Sequence, residues 1–139
     1  MNVAVLNIAL SQFGIKEIVG SRHNKEVLKY FKETGFDWVQ DDETAWCSAF
    51  ANWVAKMAEV DRSGKLSARS WLTVGEPIES PELGDIVVLW RVKPSSWKGH
   101  VGFFIRETDN LIYILGGNQQ NQVKISAYPK SRLLEYRRL

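Results

Sequence analysis

Apolar residues follow a helical period through the first half of the chain. Their spacing predicts a short helix over residues 3–13 and a second helix between Asn24, a good N-cap, and Gly35, a good terminating glycine. A third apolar stripe covers residues 46–60, and a short helical segment is predicted over residues 67–74. The stripes consist of Val3, Leu6, Leu10, Phe13, Val27, Leu28, Phe31, Trp46, Phe50, Trp53, Val54 and Met57.

After Pro77 the pattern changes to short β-branched and aromatic runs separated by turn residues. The predicted strands are residues 86–90, 100–106, 111–115, 123–126 and 133–137. Helices first and consecutive antiparallel strands afterwards are typical of the α+β class. We therefore predict N-terminal helices that pack on a curled antiparallel sheet of about five strands.

The composition restricts the possible functions. The 139 residues are 45% hydrophobic and 24% charged, as expected for a single globular domain over residues 1–139, and the net charge of +2 is too small to indicate nucleic acid binding. One cysteine excludes an internal disulfide, and with only two histidines we expect no metal site and no cofactor. There is no run of 18 apolar residues, so we expect no membrane insertion. We expect a monomer.

Cys47 is predicted to lie in the first turn of the third helix, with Thr44 as a plausible N-cap. Unpaired backbone N–H groups and the helix dipole stabilise an anion there, and the thiolate is the nucleophilic form of cysteine. The acidic loop over residues 37–43 opposes ionisation, so the sulfur needs a positive partner. The alternative is that Cys47 is a small buried residue of the core.

His100 is predicted to be the base for this sulfur, because it opens a strand and Gly102 leaves room for another element beside it. The return strand leads into Gly116-Gly-Asn118, so a hairpin brings Asn118 back toward His100. Asn118 would accept from one ring nitrogen while the other faces the sulfur, the Cys-His-Asn arrangement of papain-like enzymes. The pair would form a thiolate–imidazolium couple. Alternatively, His100 is an ordinary core or surface histidine and Asn118 a turn residue.

The chain contains four ordered blocks: Thr-Ala-Trp-Cys-Ser-Ala-Phe-Ala-Asn-Trp (44–53), Leu-Gly-Asp-Ile-Val-Val-Leu (83–89), Gly-His-Val-Gly-Phe (99–103) and Leu-Gly-Gly-Asn-Gln (115–119). Together they resemble the CHAP and NlpC superfamily of papain-like cysteine peptidases and amidases, which cut bacterial cell-wall peptidoglycan. A compact branch of phage lysins and secreted wall hydrolases is similar also at residues 14–17, 68–71 and 116–119. The resemblance extends from about Gly14 to Arg137.

The resemblance implies that Cys47 is the nucleophile, that His100 is first base and then acid, and that Asn118 orients the histidine. Two positions depart from the family pattern. Many CHAP members carry a glutamate two residues before the equivalent of Asn118, where this chain has Gly116. NlpC relatives usually have Asp-Cys-Ser, where this chain has Trp46 before the cysteine.

Four further residues are candidates for contact with substrate. Trp46 is expected to line the cleft, and Glu17 to approach it from its loop and bind substrate amines, although a solvated glutamate is an equal alternative. Trp97 is expected to be exposed in a Ser/Lys/Gly loop and to flank a glycan or peptide. Gln119, which ends the Gly-Gly-Asn-Gln block, completes the expected set.

These observations lead to the expectation of a peptidoglycan hydrolase that cleaves an amide bond of the stem peptide, as an endopeptidase or an N-acetylmuramoyl-L-alanine amidase. The alternatives are a thiol acyltransferase or deamidase on the same fold, and a non-catalytic wall-binding module. The N-terminus lacks a secretion signal, so synthesis in the cytoplasm is expected. Delivery to the wall would then follow the route of a phage endolysin or of an injected effector, the latter with an immunity protein as partner.

Overall fold

The structure is a computed structural model, and it describes residues 1–18, 23–39 and 45–139. Helices precede strands, as the sequence pattern predicts. The helices are α1 (Val3–Ser11), α2 (Lys25–Lys32) and α3 (Cys47–Met57), followed by a 3-10 helix over Ala68–Thr73. The strands are β1 (Glu76–Ile78), β2 (Ile86–Trp90), β3 (Gly99–Glu107), β4 (Leu111–Gln119), β5 (Gln122–Pro129) and β6 (Leu133–Arg138), with a 3-10 turn over Lys130–Arg132. The predicted α+β class is confirmed.

The helix ends follow from local hydrogen bonding. The Asn24 side chain accepts from the backbone N–H of Glu26 at 2.8 Å and so caps α2, and Gly35 adopts a φ of +95° just beyond its end. Helix α3 begins at Cys47, with Trp46 in the N-cap position. The predicted cap, Thr44, lies outside the described residues. None of the helices in the described ranges has both the length and the apolar character needed to cross a membrane.

The six strands form one antiparallel sheet in the order β1-β6-β2-β3-β4-β5. The expected number was about five, because β1 has only three residues and a central proline, too short to give an alternating pattern. This strand lies at the sheet edge, where Pro77 pairs opposite Arg137 of β6. Strand β4 also continues to Gln119, beyond the predicted end at Leu115.

Both faces of the sheet bury apolar side chains. The larger cluster fills the space between sheet and helices, and includes Trp46, Phe50 and Phe103. The opposite face carries a second cluster of Val87, Leu89, Phe104, Ile112, Ile114 and Tyr136. Most of these side chains are fully buried. The predicted packing of helices on an antiparallel sheet is therefore present.

A buried polar network fixes α3 to the segment that follows it. The Asn52 side chain donates to the carbonyls of Ser48 at 2.9 Å and Lys65 at 3.1 Å, and accepts from the backbone N–H of Gly64 at 2.8 Å. The Ser48 hydroxyl donates to the Lys65 carbonyl and accepts from the Trp71 indole at 3.0 Å. These bonds attach the 3-10 helix to the residue that directly follows Cys47.

Replacing Asn52 with alanine should destabilise the protein by about 2 kcal/mol, because buried partners lose their hydrogen bonds. Urea unfolding followed by circular dichroism measures this loss. The matched control is Asn7→Ala, at an exposed position of α1. Equal unfolding midpoints for the two variants would contradict a structural role for the Asn52 network.

Candidate active site

A cleft of about 520 Å³ opens where the N-terminus of α3 meets the start of β3. Cys47, His100 and Asn118, the three predicted catalytic residues, all line it. The remaining lining residues are Ala45, Leu66, Ser67, Ala68, Arg91, Trp97, Lys98, Gly99, Asn121, Tyr128 and Arg132. Residues distant in sequence are thus brought to one concave surface.

Cys47 is the first residue of α3, as predicted, and only 8% of its surface is exposed. Burial raises the pKa of its thiol above the usual value. Hydrogen bonding from the backbone N–H groups of Val101 and Ser48 and the charge of Arg91 act in the opposite direction. Since Val101 directly follows His100, the sulfur lies against the same part of β3 as the histidine.

The imidazole of His100 is held by Gln119. Nε2 of the ring lies 2.9 Å from Gln119 Oε1, and the Gln119 amide nitrogen donates to the carbonyls of Ile114 at 3.1 Å and Lys124 at 2.5 Å. With both amide hydrogens directed at carbonyls, the oxygen must face the ring and can only accept. Nε2 therefore carries the proton, and Nδ1 is the nitrogen left for the sulfur.

Tyr128 completes the environment of the ring. Its hydroxyl donates to Gln119 Oε1 at 3.1 Å and lies 3.3 Å from His100 Nε2, while the two rings are 5.2 Å apart between centroids. Burial raises the pKa of Tyr128 to about 12, so the hydroxyl remains a donor at neutral pH. No sequence pattern marks this residue, because one tyrosine in an edge strand is ordinary.

The residue bonded to His100 is thus Gln119, next to the predicted Asn118. The pairing of β4 with β5 shifts between Gly116 and Gln119, where three steps along β4 match two along β5. This bulge reverses the expected alternation, and Asn118 adopts a left-handed φ of +58°. Asn118 lines the cleft instead. Gln119, which was predicted to contact substrate, is buried, with a relative exposure of 2%.

Gly116 explains why the glutamate of many CHAP members is absent here. A Cβ atom at position 116 would lie 2.9 Å from Gln119 Oε1 and 3.5 Å from His100 Nε2. The space that a longer side chain would need is therefore filled by the Gln119 carboxamide. The group bonded to the imidazole is instead the Gln119 carboxamide, on the other side of the bulge.

The other predicted contact residues divide into buried and exposed ones. Trp46 is fully buried, stacks on Tyr30 at 5.8 Å and donates its indole N–H to Glu17 Oε1 at 2.7 Å. The expectation that Trp46 lines the cleft is therefore wrong, because the bulk of the indole fills the core beneath the helix N-terminus.

Glu17, the predicted contact for substrate amines, bonds to this indole and is not among the residues that line the cleft. Trp97 is 77% exposed and lines the cleft, as expected.

The directions of the two pKa shifts favour neutral partners over the expected ion pair. Burial lowers the pKa of His100 to about 4, the Gln119 bond opposes this, and the positive charges of Arg132 and Arg91 lower it further. Together with the raised pKa of the Cys47 thiol, this favours neutral imidazole and neutral thiol at pH 7. The sulfur would then lose its proton to Nδ1 during attack on a substrate.

No protein-family model and no curated protein matches the chain. Among solved structures, the crystal structure of the P60 domain from the M. avium paratuberculosis antigen MAP1272c is similar, with a TM-score of 0.57 and 18% identity over 99% of this chain and 92% of that chain. The fold is that of a P60 domain.

The P60 fold agrees with one part of the sequence resemblance, since the P60 domain is grouped with NlpC. Nothing in the comparisons bears on the CHAP or phage-lysin branch. At 18% identity the likeness concerns the fold. The assignment of roles to residues in this P60-like chain therefore rests on the geometry of the cleft. Within the described ranges, no group of three or more His, Cys, Asp or Glu side chains is placed to hold a metal ion.

Alkylation by iodoacetamide should report the charge state of Cys47. Since burial raises the pKa of the thiol, the rate should be low at pH 7 and rise only above the ordinary thiol range near pH 9. Mass spectrometry of samples quenched between pH 4 and 10 measures the rate, with free cysteine as the reference. A fast plateau between pH 5 and 8 would show a thiolate–imidazolium pair instead.

Proposed function

We propose that this protein is a cysteine amidohydrolase that cleaves an amide bond in the stem peptide of bacterial peptidoglycan. The observation that carries the proposal is the meeting of Cys47 and His100 on one cleft, with the cysteine at a helix N-terminus and the ring oriented by Gln119. The P60 fold and the ordered blocks that resemble CHAP and NlpC enzymes support the choice of substrate.

The proposed reaction begins when Cys47 Sγ attacks the amide carbonyl carbon and its proton passes to Nδ1 of His100. The negative charge on the carbonyl oxygen is stabilised by backbone N–H groups at the start of α3, including that of Cys47, and by the helix dipole. Gln119 and Tyr128 keep the ring in place as it becomes an imidazolium.

Collapse of this intermediate breaks the C–N bond, and His100 gives its proton to the leaving amine. The acyl group then remains on Cys47 as a thioester. The neutral imidazole takes a proton from water, the hydroxide adds to the thioester carbonyl, and the thiol leaves with the proton. The products are one carboxylate and one amine, whether the bond lies within the stem peptide or joins muramic acid to L-alanine.

The second candidate is a non-catalytic wall-binding module with a packed cysteine. One observation favours it, since burial raises the pKa of the Cys47 thiol instead of lowering it. In that case substrate would occupy the cleft without reaction.

Cys47→Ala should abolish hydrolysis of purified cell wall, with a loss of at least about a thousandfold, because no other nucleophile replaces the sulfur. Mass spectrometry of released muropeptides measures the rate and identifies the bond from the new amine. Circular dichroism of the variant controls for folding. Equal release by wild type and variant would refute a thiol mechanism, and release by neither would favour the binding module.

Gln119→Ala should lower kcat about a hundredfold, because the imidazole loses the acceptor that fixes its tautomer and orientation. Two neighbouring variants serve as controls. Gln120→Ala removes an exposed side chain that accepts from Lys124, and Asn118→Ala removes a side chain of the cleft wall. Both should retain far more activity than Gln119→Ala. A loss confined to Asn118→Ala would instead restore Asn118 as the orienting residue.

A further inference from the structure

The rim of the cleft is basic. Arg91, Lys98 and Arg132 line it, and we call these three residues the basic rim. No aspartate or glutamate in the described part of the chain lines the cleft with them. The ion pairs found between described residues use other cations, namely the N-terminus, Lys29, Lys130, Arg137 and Arg138. Within the described ranges, the charges of the basic rim are therefore not paired with a carboxylate.

Two of these charges lie next to the reacting pair. Arg132 donates through Nε to the Trp90 carbonyl at 3.0 Å, and its guanidinium lies 5.4 Å from the centroid of the Tyr128 ring. Tyr128 in turn contacts His100. Arg91 directly follows Trp90 at the end of β2, and its charge lowers the pKa of both the Cys47 thiol and His100.

The third charge, that of Lys98, lies on a loop whose backbone is held in place by Arg69. The guanidinium of Arg69 donates to three carbonyls of the loop between β2 and β3: Lys98 at 2.9 Å, Pro94 at 2.8 Å and Lys93 at 3.2 Å. This loop carries Trp97 and Lys98, whose ammonium lies 5.7 Å from the Trp97 ring centroid. An exposed aromatic ring and a cation are thus presented together by a backbone that is already fixed.

We propose that the basic rim binds a free carboxylate of the peptide substrate beside the scissile amide. The inference rests on the proposed function and specifies its substrate class, a stem peptide whose carboxyl group next to the cleaved bond is ionised and not amidated. Guanidinium groups pair with carboxylates in fixed, often bidentate geometry, and Trp97 offers an apolar surface for the neighbouring part of the ligand.

Binding of that carboxylate has a consequence for His100. The positive charges of Arg91 and Arg132 lower the pKa of the imidazole in the free protein. A bound carboxylate offsets those charges, so the pKa of His100 rises and the ring becomes a stronger base for the Cys47 proton. An anionic substrate would therefore both bind more tightly and react faster than its neutral amide.

The first test compares a soluble muropeptide that has a free carboxylate beside the cleaved amide with the same muropeptide carrying a carboxamide there. Wild type should cleave the carboxylate form with at least about tenfold higher kcat/KM, as expected for a charge-assisted hydrogen bond. Arg91→Gln should raise KM for the carboxylate form about fivefold and leave KM for the carboxamide form unchanged. Arg62→Gln, at an exposed position outside the cleft, should change neither. Equal kcat/KM for the two forms would overturn the proposal.

The pH profile separates this role from simple stabilisation. Removing the positive charge of Arg91 should raise the pKa of His100, so the acid limb of kcat/KM should move to higher pH in Arg91→Gln and stay in place in Arg62→Gln. A variant that had only lost stability would keep the position of this limb. An unmoved limb in Arg91→Gln would refute the electrostatic link.

A binding measurement separates failure of this inference from failure of the proposed function. Cys47→Ala, which cannot turn over, is titrated by calorimetry with each muropeptide. Preferential binding of the carboxylate form, weakened by Arg91→Gln in the same background, supports the basic rim even if wild type hydrolyses neither muropeptide. If both forms bind equally and wild type still hydrolyses them, carboxylate binding by the basic rim would be refuted and the proposed hydrolase activity would stand.

Discussion

The close approach of helix α3 to strand β4 at Gly117 is the contact on which the site depends. A Cβ atom at this position would lie 2.7 Å from Phe50 Cβ and 2.7 Å from the Trp46 ring. The absence of a side chain lets the start of the helix settle against the sheet. Trp46, fixed by Glu17 and Tyr30 from the other side, then holds the residue after it at the mouth of the cleft.

Much of this arrangement could be predicted from the sequence because it follows from periodicity and backbone chemistry. The apolar stripes locate the helices, β-branched runs locate the longer strands, and Cys47 at a helix start follows directly from the stripe that begins there. The return of the end of β4 to the neighbourhood of His100 also follows, since a hairpin of antiparallel strands brings these two ends together.

What could not be predicted depends on register and on the competition for space. Gln119 and not Asn118 bonds to His100 because of one extra residue in β4, and no propensity marks whether a Gly-Gly-Asn-Gln segment is a turn or a bulge within a strand. Trp46 is similarly ambiguous, since an indole before a cysteine suits a cleft and a core equally well. Arg91 and Arg132 are far apart in sequence and reach the same cleft only because β2 pairs with β6.

The cleft combines a neutral interior with a charged entrance. Burial around Cys47 and His100 opposes charge separation, while Arg91 and Arg132 add positive potential close to both groups. These two features are compatible. Burial favours the neutral forms of Cys47 and His100 in the free protein, whereas the effect of the rim charges on His100 would change when an anionic ligand binds. Under the proposed mechanism, the sulfur therefore becomes reactive when a carboxylate occupies the cleft.

The hydrogen bonds of Gln119 also restrict how this site can change over evolution. Its amide nitrogen faces two backbone carbonyls, so a glutamate in the same place would set a carboxylate oxygen against both of them and create repulsion on either side. A single substitution of Gln119 by glutamate therefore cannot supply an acidic partner for the histidine. An acidic partner for the histidine would therefore require a change in the strand as well as in this side chain.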